Sequence, residues 1–226
     1  ALESQVAADT GAAAGATFWN RTSELGLASA YGTATIGNSV ALAARAANAQ
    51  SPFSVHGMLG LSTLNVGIYQ KNSLTFTSAN YSGITAAAQY GASEGPGDGI
   101  YAAQVNFAQG PVAAGLTYTD IGNDSLLQIG GSYDMGAAKL FAQFATTDET
   151  DTDQFHIGAA APISAAGSVH ATFTHTKAGD DKSNTLALGY DHALSKRTGA
   201  YAAVVFNDQD NSDSTVSLAV GLRHAF

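Results

Sequence analysis

The feature that most limits what this chain can become is a period-two alternation between a greasy face and a slim, nearly uncharged one. In the last twelve residues one face carries Val216, Leu218, Val220, Leu222, His224 and Phe226. The other carries Thr215, Ser217, Ala219, Gly221, Arg223 and Ala225. Such alternation marks strands whose two faces meet different surroundings. It recurs in 101–107, 114–119, 127–134, 154–159, 168–174 and 186–191. A soluble sandwich would place Lys, Glu and Arg opposite the apolar face. Here that face holds Gly, Ala, Ser, Thr and Gln, with few charges. Small polar side chains suit the wetted inner wall of a wide barrel whose apolar face meets lipid.

The composition agrees. Charged residues are 12% of the chain, about half the usual share in soluble domains. Hydrophobic residues reach 45%, yet none of their runs approaches the ~18 residues of a membrane-spanning helix. A net charge of -9 with only 9 Lys+Arg argues against a nucleic-acid-binding protein, which needs a broad basic face. The absence of cysteine excludes disulfides and thiolate metal sites. The start, at Ala1, lacks a basic region followed by an apolar one, so the expectation is a chain that is mature, trimmed or incomplete at its beginning.

Two kinds of connection alternate along the chain. Residues 94–98, 120–124, 148–153, 179–181 and 208–213 are acidic and hold most of the 18 acids. Residues 109–111, 135–137 and 164–167 are short and uncharged, and 195–198 (Ser-Lys-Arg-Thr) is short and basic. Up-and-down strands would gather the acidic connections at one rim and the tight ones at the other, as outer-membrane barrels do. The Ala-rich stretch 38–50 breaks the strand pattern and predicts a short helix within a long connection.

The run Tyr190-Asp191-His192-Ala193-Leu194-Ser195-Lys196-Arg197-Thr198-Gly199-Ala200-Tyr201-Ala202, with the ending Val220-Gly221-Leu222-Arg223-His224-Ala225-Phe226, resembles the close of Gram-negative general porins. Upstream segments agree, among them Leu2-Glu3-Ser4, Gly32-Thr33-Ala34-Thr35-Ile36-Gly37, Asn80-Tyr81-Ser82-Gly83 and Tyr133-Asp134-Met135-Gly136. The resemblance covers nearly the whole chain. It implies an all-β fold: a transmembrane antiparallel up-and-down barrel in one domain, 1–226, with 38–56 folded inward as a constriction loop. It also implies sixteen strands. Counting back from Phe226 gives fourteen here, so two N-terminal strands are expected to be missing from this sequence.

The function implied is a water-filled outer-membrane channel for passive diffusion of ions and small hydrophilic solutes. Implied partners are two further copies in a homotrimer, outer-membrane lipid and lipopolysaccharide, and the barrel-assembly machinery, for which Phe226 would be the signal. Alternation places Glu24, Lys71, Asp134, Lys139, His156, Asp191 and Arg223 on the pore wall, and the inward loop adds Arg45. Residues 38–56 contain no acid, so the wall predicts weak selectivity. His156 and His170 fall on the polar faces of neighbouring strands and could approach each other. Neither a zinc-protease motif nor a nucleophile elbow is present, so no enzyme is expected. No cofactor is expected either. A surface divalent cation is the one ligand that Asp148 and Asp151, or Asp208 and Asp210, could bind.

Overall fold

The computed structural model describes residues 1–226 except 8, 14, 16, 54–66, 96–98 and 226. His56, Asp98 and Phe226 therefore lie outside the described residues, as does the end of the 38–56 loop. The elements are β1 (Ser23–Ser29), β2 (Gly32–Val40), α1 (Leu42–Ala49), β3 (Tyr69–Ser78), β4 (Ile84–Gly91), β5 (Ile100–Gln109), β6 (Val112–Asp120), β7 (Ser125–Asp134), β8 (Lys139–Thr147), β9 (Thr152–Pro162), β10 (Gly167–Ala178), β11 (Asp181–Ala193), β12 (Thr198–Gln209) and β13 (Thr215–His224). All thirteen strands form one sheet in sequence order, each antiparallel to the next, and β1 and β13 are its edges.

Two sequence expectations are corrected. The described residues give thirteen strands rather than fourteen. The N-terminal segment meets β1 at one bridge, Leu2 to Ser23, because the backbone bonds beside β1 run from Ala1 to Glu3. The helical stretch is also shorter than expected. Residues 38–40 continue β2, held by Ser39 opposite Gln70 and Val40 opposite Tyr69, and the helix begins at Leu42.

Burial is inverted relative to a soluble protein. The buried face is polar and small: Thr75, Gln89, Gln104, Thr117, Gln128, Gln143, Gln154 and Thr172. The exposed face is apolar: Leu74, Val105, Leu116, Ile129, Phe144, Ile157, Leu186 and Leu188. In water such a face would drive aggregation. In lipid it is the low-energy arrangement, since neighbouring strands satisfy each other's backbone groups everywhere but along the outer edges of β1 and β13. No described helix is long and apolar enough to cross a membrane; the crossing elements are the strands. Tyr90 and Tyr101 stack on the outer face at 4.8 Å between ring centres, near the acidic rim, as an interfacial girdle requires. Tyr201 departs from that pattern. It stands on the inner face opposite Gly221.

The two rims differ as the connections predicted. Five acidic connections, β4–β5, β6–β7, β8–β9, β10–β11 and β12–β13, meet one rim. The tight turns β5–β6, β7–β8, β9–β10 and β11–β12 meet the other. The β2–β3 connection leaves the acidic rim and turns inward, so α1 packs on β5, β6 and β7.

The inward segment also reports curvature. Leu42 packs on Ala87 and Ala102 of β4 and β5, while Phe53 packs on Ala187 and Ala203 of β11 and β12. On a flat sheet, seven strand spacings would separate those contacts by roughly 34 Å. Residues 42–53, a helix and a short extension, reach about 25 Å at most. The segment is therefore a chord across a concave inner face.

Candidate functional site: the inner wall and the segment across it

Three wall glutamines hold the inward segment by its backbone. Gln89 on β4 accepts from the Leu42 N–H at 3.2 Å through Oε1, and its Nε2 donates to the Val40 carbonyl at 3.3 Å. Gln104 on β5 donates to the Leu42 carbonyl at 3.4 Å, and Gln128 on β7 to the Ala43 carbonyl at 3.4 Å. Threonines one strand away steady two of these amides: Thr75 accepts from Gln89 at 2.9 Å and Thr117 from Gln104 at 2.9 Å. Apolar contacts add to the bonds, with Ala41, Ala43 and Ala44 packing on Leu126 and Ala145.

Beyond α1 the wall makes room by omitting side chains. A Cβ on Gly130 would meet Gln50 Cγ at 2.8 Å, and one on Gly158 would meet Pro52 Cδ at 2.9 Å. A Cβ on Gly189 would collide with the Phe53 ring. Inward-facing glycines on β7, β9 and β11 thus form a track for residues 50–53.

The predicted wall residues fall as follows. Glu24 is half-buried and accepts from the Ser39 hydroxyl at 2.6 Å. Arg45 rides on α1, half-buried, with Nε donating to the Val40 carbonyl at 3.2 Å. Lys139 is on the inner face of β8, its ammonium 5.2 Å from the ring centre of Phe141. Asp134 pairs in register with Lys139 and accepts from the Gly136 N–H at 2.8 Å, at the mouth of the tight β7–β8 turn. Arg223 is exposed on β13, opposite Gly199. Lys71 is exposed at a bulge. There the ladder passes from Gly37 opposite Ser73 to Ser39 opposite Gln70, and Asn72 takes a positive φ of 48°. Gln70, not Lys71, stands opposite the buried Ser39.

The two histidines do not meet. His156 is 0% exposed and bonds Thr174 at 2.8 Å through Nδ1. His170 lies further along β10 and pairs with Asp191 at 2.8 Å through Nε2, under the Phe53 ring at 5.7 Å between centres. Ser168 approaches the same nitrogen at 3.2 Å. A hydrolytic triad needs its hydroxyl and carboxylate on opposite ring nitrogens, so this trio lacks a proton relay.

The acidic rim binds itself together. Asp124 accepts from the N–H groups of Ser125 (2.7 Å), Asp148 (3.1 Å) and Glu149 (2.9 Å), and from the Thr150 hydroxyl (2.9 Å). Burial tends to raise its carboxyl pKa, but these donors together outweigh burial and hold it below the ordinary carboxylate value. Asp210 accepts from the Lys182 N–H at 3.0 Å, and Asp208 from the Ser214 hydroxyl at 2.6 Å. Among the described residues no group of three or more His, Asp or Glu converges to hold a metal. Asp148, Asp151, Asp208 and Asp210 belong to no such group.

Sequence reasoning passed over Gln89, Gln128, Phe53 and the glycine track. The parity of β4 and β7 could have placed both glutamines on the polar face. Nothing local marks them as partners of residues 40–43.

Known proteins share this arrangement. Residues 1–212 match the Gram-negative porin family. Outer membrane porin protein 32 of Delftia acidovorans is 26% identical, with 100% of this chain aligned to 79% of it. The anion-selective porin from Comamonas acidovorans superposes with a TM-score of 0.85 at 25% identity, over 100% of this chain and 83% of that one. A trimer form of OmpT from Vibrio cholerae shares the fold, with a TM-score of 0.73 at 15% identity over 90% of this chain and 80% of that one. The inverted burial, the unlike rims and the segment seated across a concave wall have the same explanation: this chain belongs to the Gram-negative porin family and is a non-enzymatic channel protein of the outer membrane.

Proposed function

We propose that the protein admits ions and small hydrophilic solutes by passive diffusion, through a pore narrowed by residues 38–56, with a weak preference for anions. The observation that carries this reading is an acid-free segment bearing Arg45, seated across the polar wall. Fixed charge in a narrow, low-dielectric passage biases ion traffic. Arg45 places a fixed positive charge on the inward segment itself, with Lys139 and Arg223 on the wall. The anion-selective porin of Comamonas acidovorans supports this sign.

The trimeric form of OmpT supports a homotrimer as the working assembly. The apolar outer face suits outer-membrane lipid and lipopolysaccharide, and Phe226 suits the assembly signal. Planar-bilayer recording in a salt gradient tests the proposal. Ohmic steps with a reversal potential of anion-preferring sign are expected. Silence from folded, inserted protein would refute it.

A further inference from the structure

We infer that the rim of tight turns carries a binding station for small oxyanions, built by Lys196, Arg197 and Arg223. A groove of about 390 Å³ opens there, between the β11–β12 turn, β10 and β13, lined also by Ser168, Asp191 and Ser195. Three of the chain's 9 basic residues line this one groove. No ion pair found among the described residues joins Lys196, Arg197 or Arg223 to a side-chain carboxylate. Asp191 is the only acid among the lining residues, and His170 holds it at 2.8 Å.

The turn that presents Lys196 and Arg197 is fixed. Ser195 Oγ accepts from the N–H groups of Arg197 at 3.2 Å and Thr198 at 3.0 Å. The Ala225 N–H donates to the Arg197 carbonyl at 2.9 Å, tying the turn to the end of β13. Arg223 stands across the β12–β13 ladder from Gly199, where even a Cβ would lie 3.6 Å from its Nη2. Two guanidinium forks and an ammonium around one groove match phosphate or carboxylate oxygens, which accept paired bonds from Arg. The other rim is acidic, so the pore carries an axial charge gradient, and an oxyanion is held only at the tight-turn mouth. Such turns face the periplasm in outer-membrane barrels.

This station rests on the channel reading, and the test separates the two. The protein is inserted with known orientation into a planar bilayer, chloride current is recorded, and inorganic phosphate is added to one side at a time. Phosphate on the tight-turn side is expected to block chloride current at lower concentration than phosphate on the acidic side. Arg197→Gln and Arg223→Gln should each raise the half-blocking concentration on that side by about tenfold, the loss of one charge-assisted bond. Lys182→Gln, at the acidic rim, should leave it unchanged. Lys196→Gln/Arg197→Gln, confined to an exposed turn, serves if Arg223→Gln fails to insert. Equal block from both sides, or block unchanged in the arginine variants while chloride still flows, would overturn the station and leave the channel standing. An absence of chloride current from inserted protein would overturn the channel reading and the station with it.

Discussion

The Leu42 N–H, at the start of α1, donates to Gln89 Oε1 at 3.2 Å across 47 residues of sequence. The helix has no side-chain cap of its own, since Ala41 occupies the cap position. First-turn N–H groups are orphans unless a side chain or water receives them. Gln89 therefore caps α1 from the wall, and its amide nitrogen holds the Val40 carbonyl at 3.3 Å. One side chain joins the helix start to the sheet.

Gln89→Ala should weaken that junction by about 1 kcal/mol, the usual cost of a lost cap. The strands keep their ladders, so far-ultraviolet circular dichroism should be unchanged. The inward segment should fluctuate more, giving noisier open-channel current and closure at lower voltage. Single-channel traces indistinguishable from wild type would show that Gln104 and Gln128 suffice without it.

The glycine track predicts a compensating pair. Gly189→Ala places a methyl against the Phe53 ring, and overpacking of a filled site costs about 1–3 kcal/mol. Phe53→Ala removes the obstacle. The double variant should lose clearly less thermal stability than the two single losses summed, and single-channel conductance should differ between the two single variants. Additive losses in the double variant would mean that Phe53 does not occupy the site over Gly189.

Much of this was legible in the alternation. Strand parity alone put His156, Lys139, Asp191 and Arg223 on the polar face, because side chains change face at every residue. Parity failed at Lys71, where the bulge at Asn72 inserts a residue and shifts the register. It gave no warning of the seat for residues 42–53. Gln89 and Gly189 join that seat through contacts far apart in sequence, and their own neighbourhoods carry no sign of the partner. Helix propensity located α1 only loosely for the same reason, since its cap lies on another element. The pairing of His170 with Asp191 rather than His156 depended on strand register, which turns and bulges set and which composition does not encode.

Asp124 should make the acidic rim sensitive to acid. Its pKa is depressed in the folded protein. Its stabilisation is then fully present above the ordinary carboxylate value, about 3.9, and is lost as pH falls through the lower folded value. The amides of Asp148 and Glu149, which it receives, should be protected from hydrogen exchange at neutral pH. That protection should fade in acid, after correction for intrinsic exchange. Asp124→Ala should exchange them faster at neutral pH, with protection in the β8–β9 ladder intact. Equal protection in variant and wild type would remove Asp124 as the organiser of this loop.

Arg45 offers the most direct reading of the pore's charge. Its Nε is tied to the Val40 carbonyl at 3.2 Å, so the guanidinium is fixed in place rather than free to swing. Arg45→Gln removes one positive charge and Arg45→Glu reverses it. In a salt gradient the reversal potential should therefore move toward cations in both, about twice as far in the Glu variant. The shift should shrink at high ionic strength, where the screening length falls to about 3 Å at 1 M. A charge on the outer surface would also be screened, but its removal should alter the potential little even in dilute salt. Reversal potentials equal to wild type in both variants, with channels still conducting, would place Arg45 outside the ion path. They would also leave the sign of selectivity to Lys139 and Arg223.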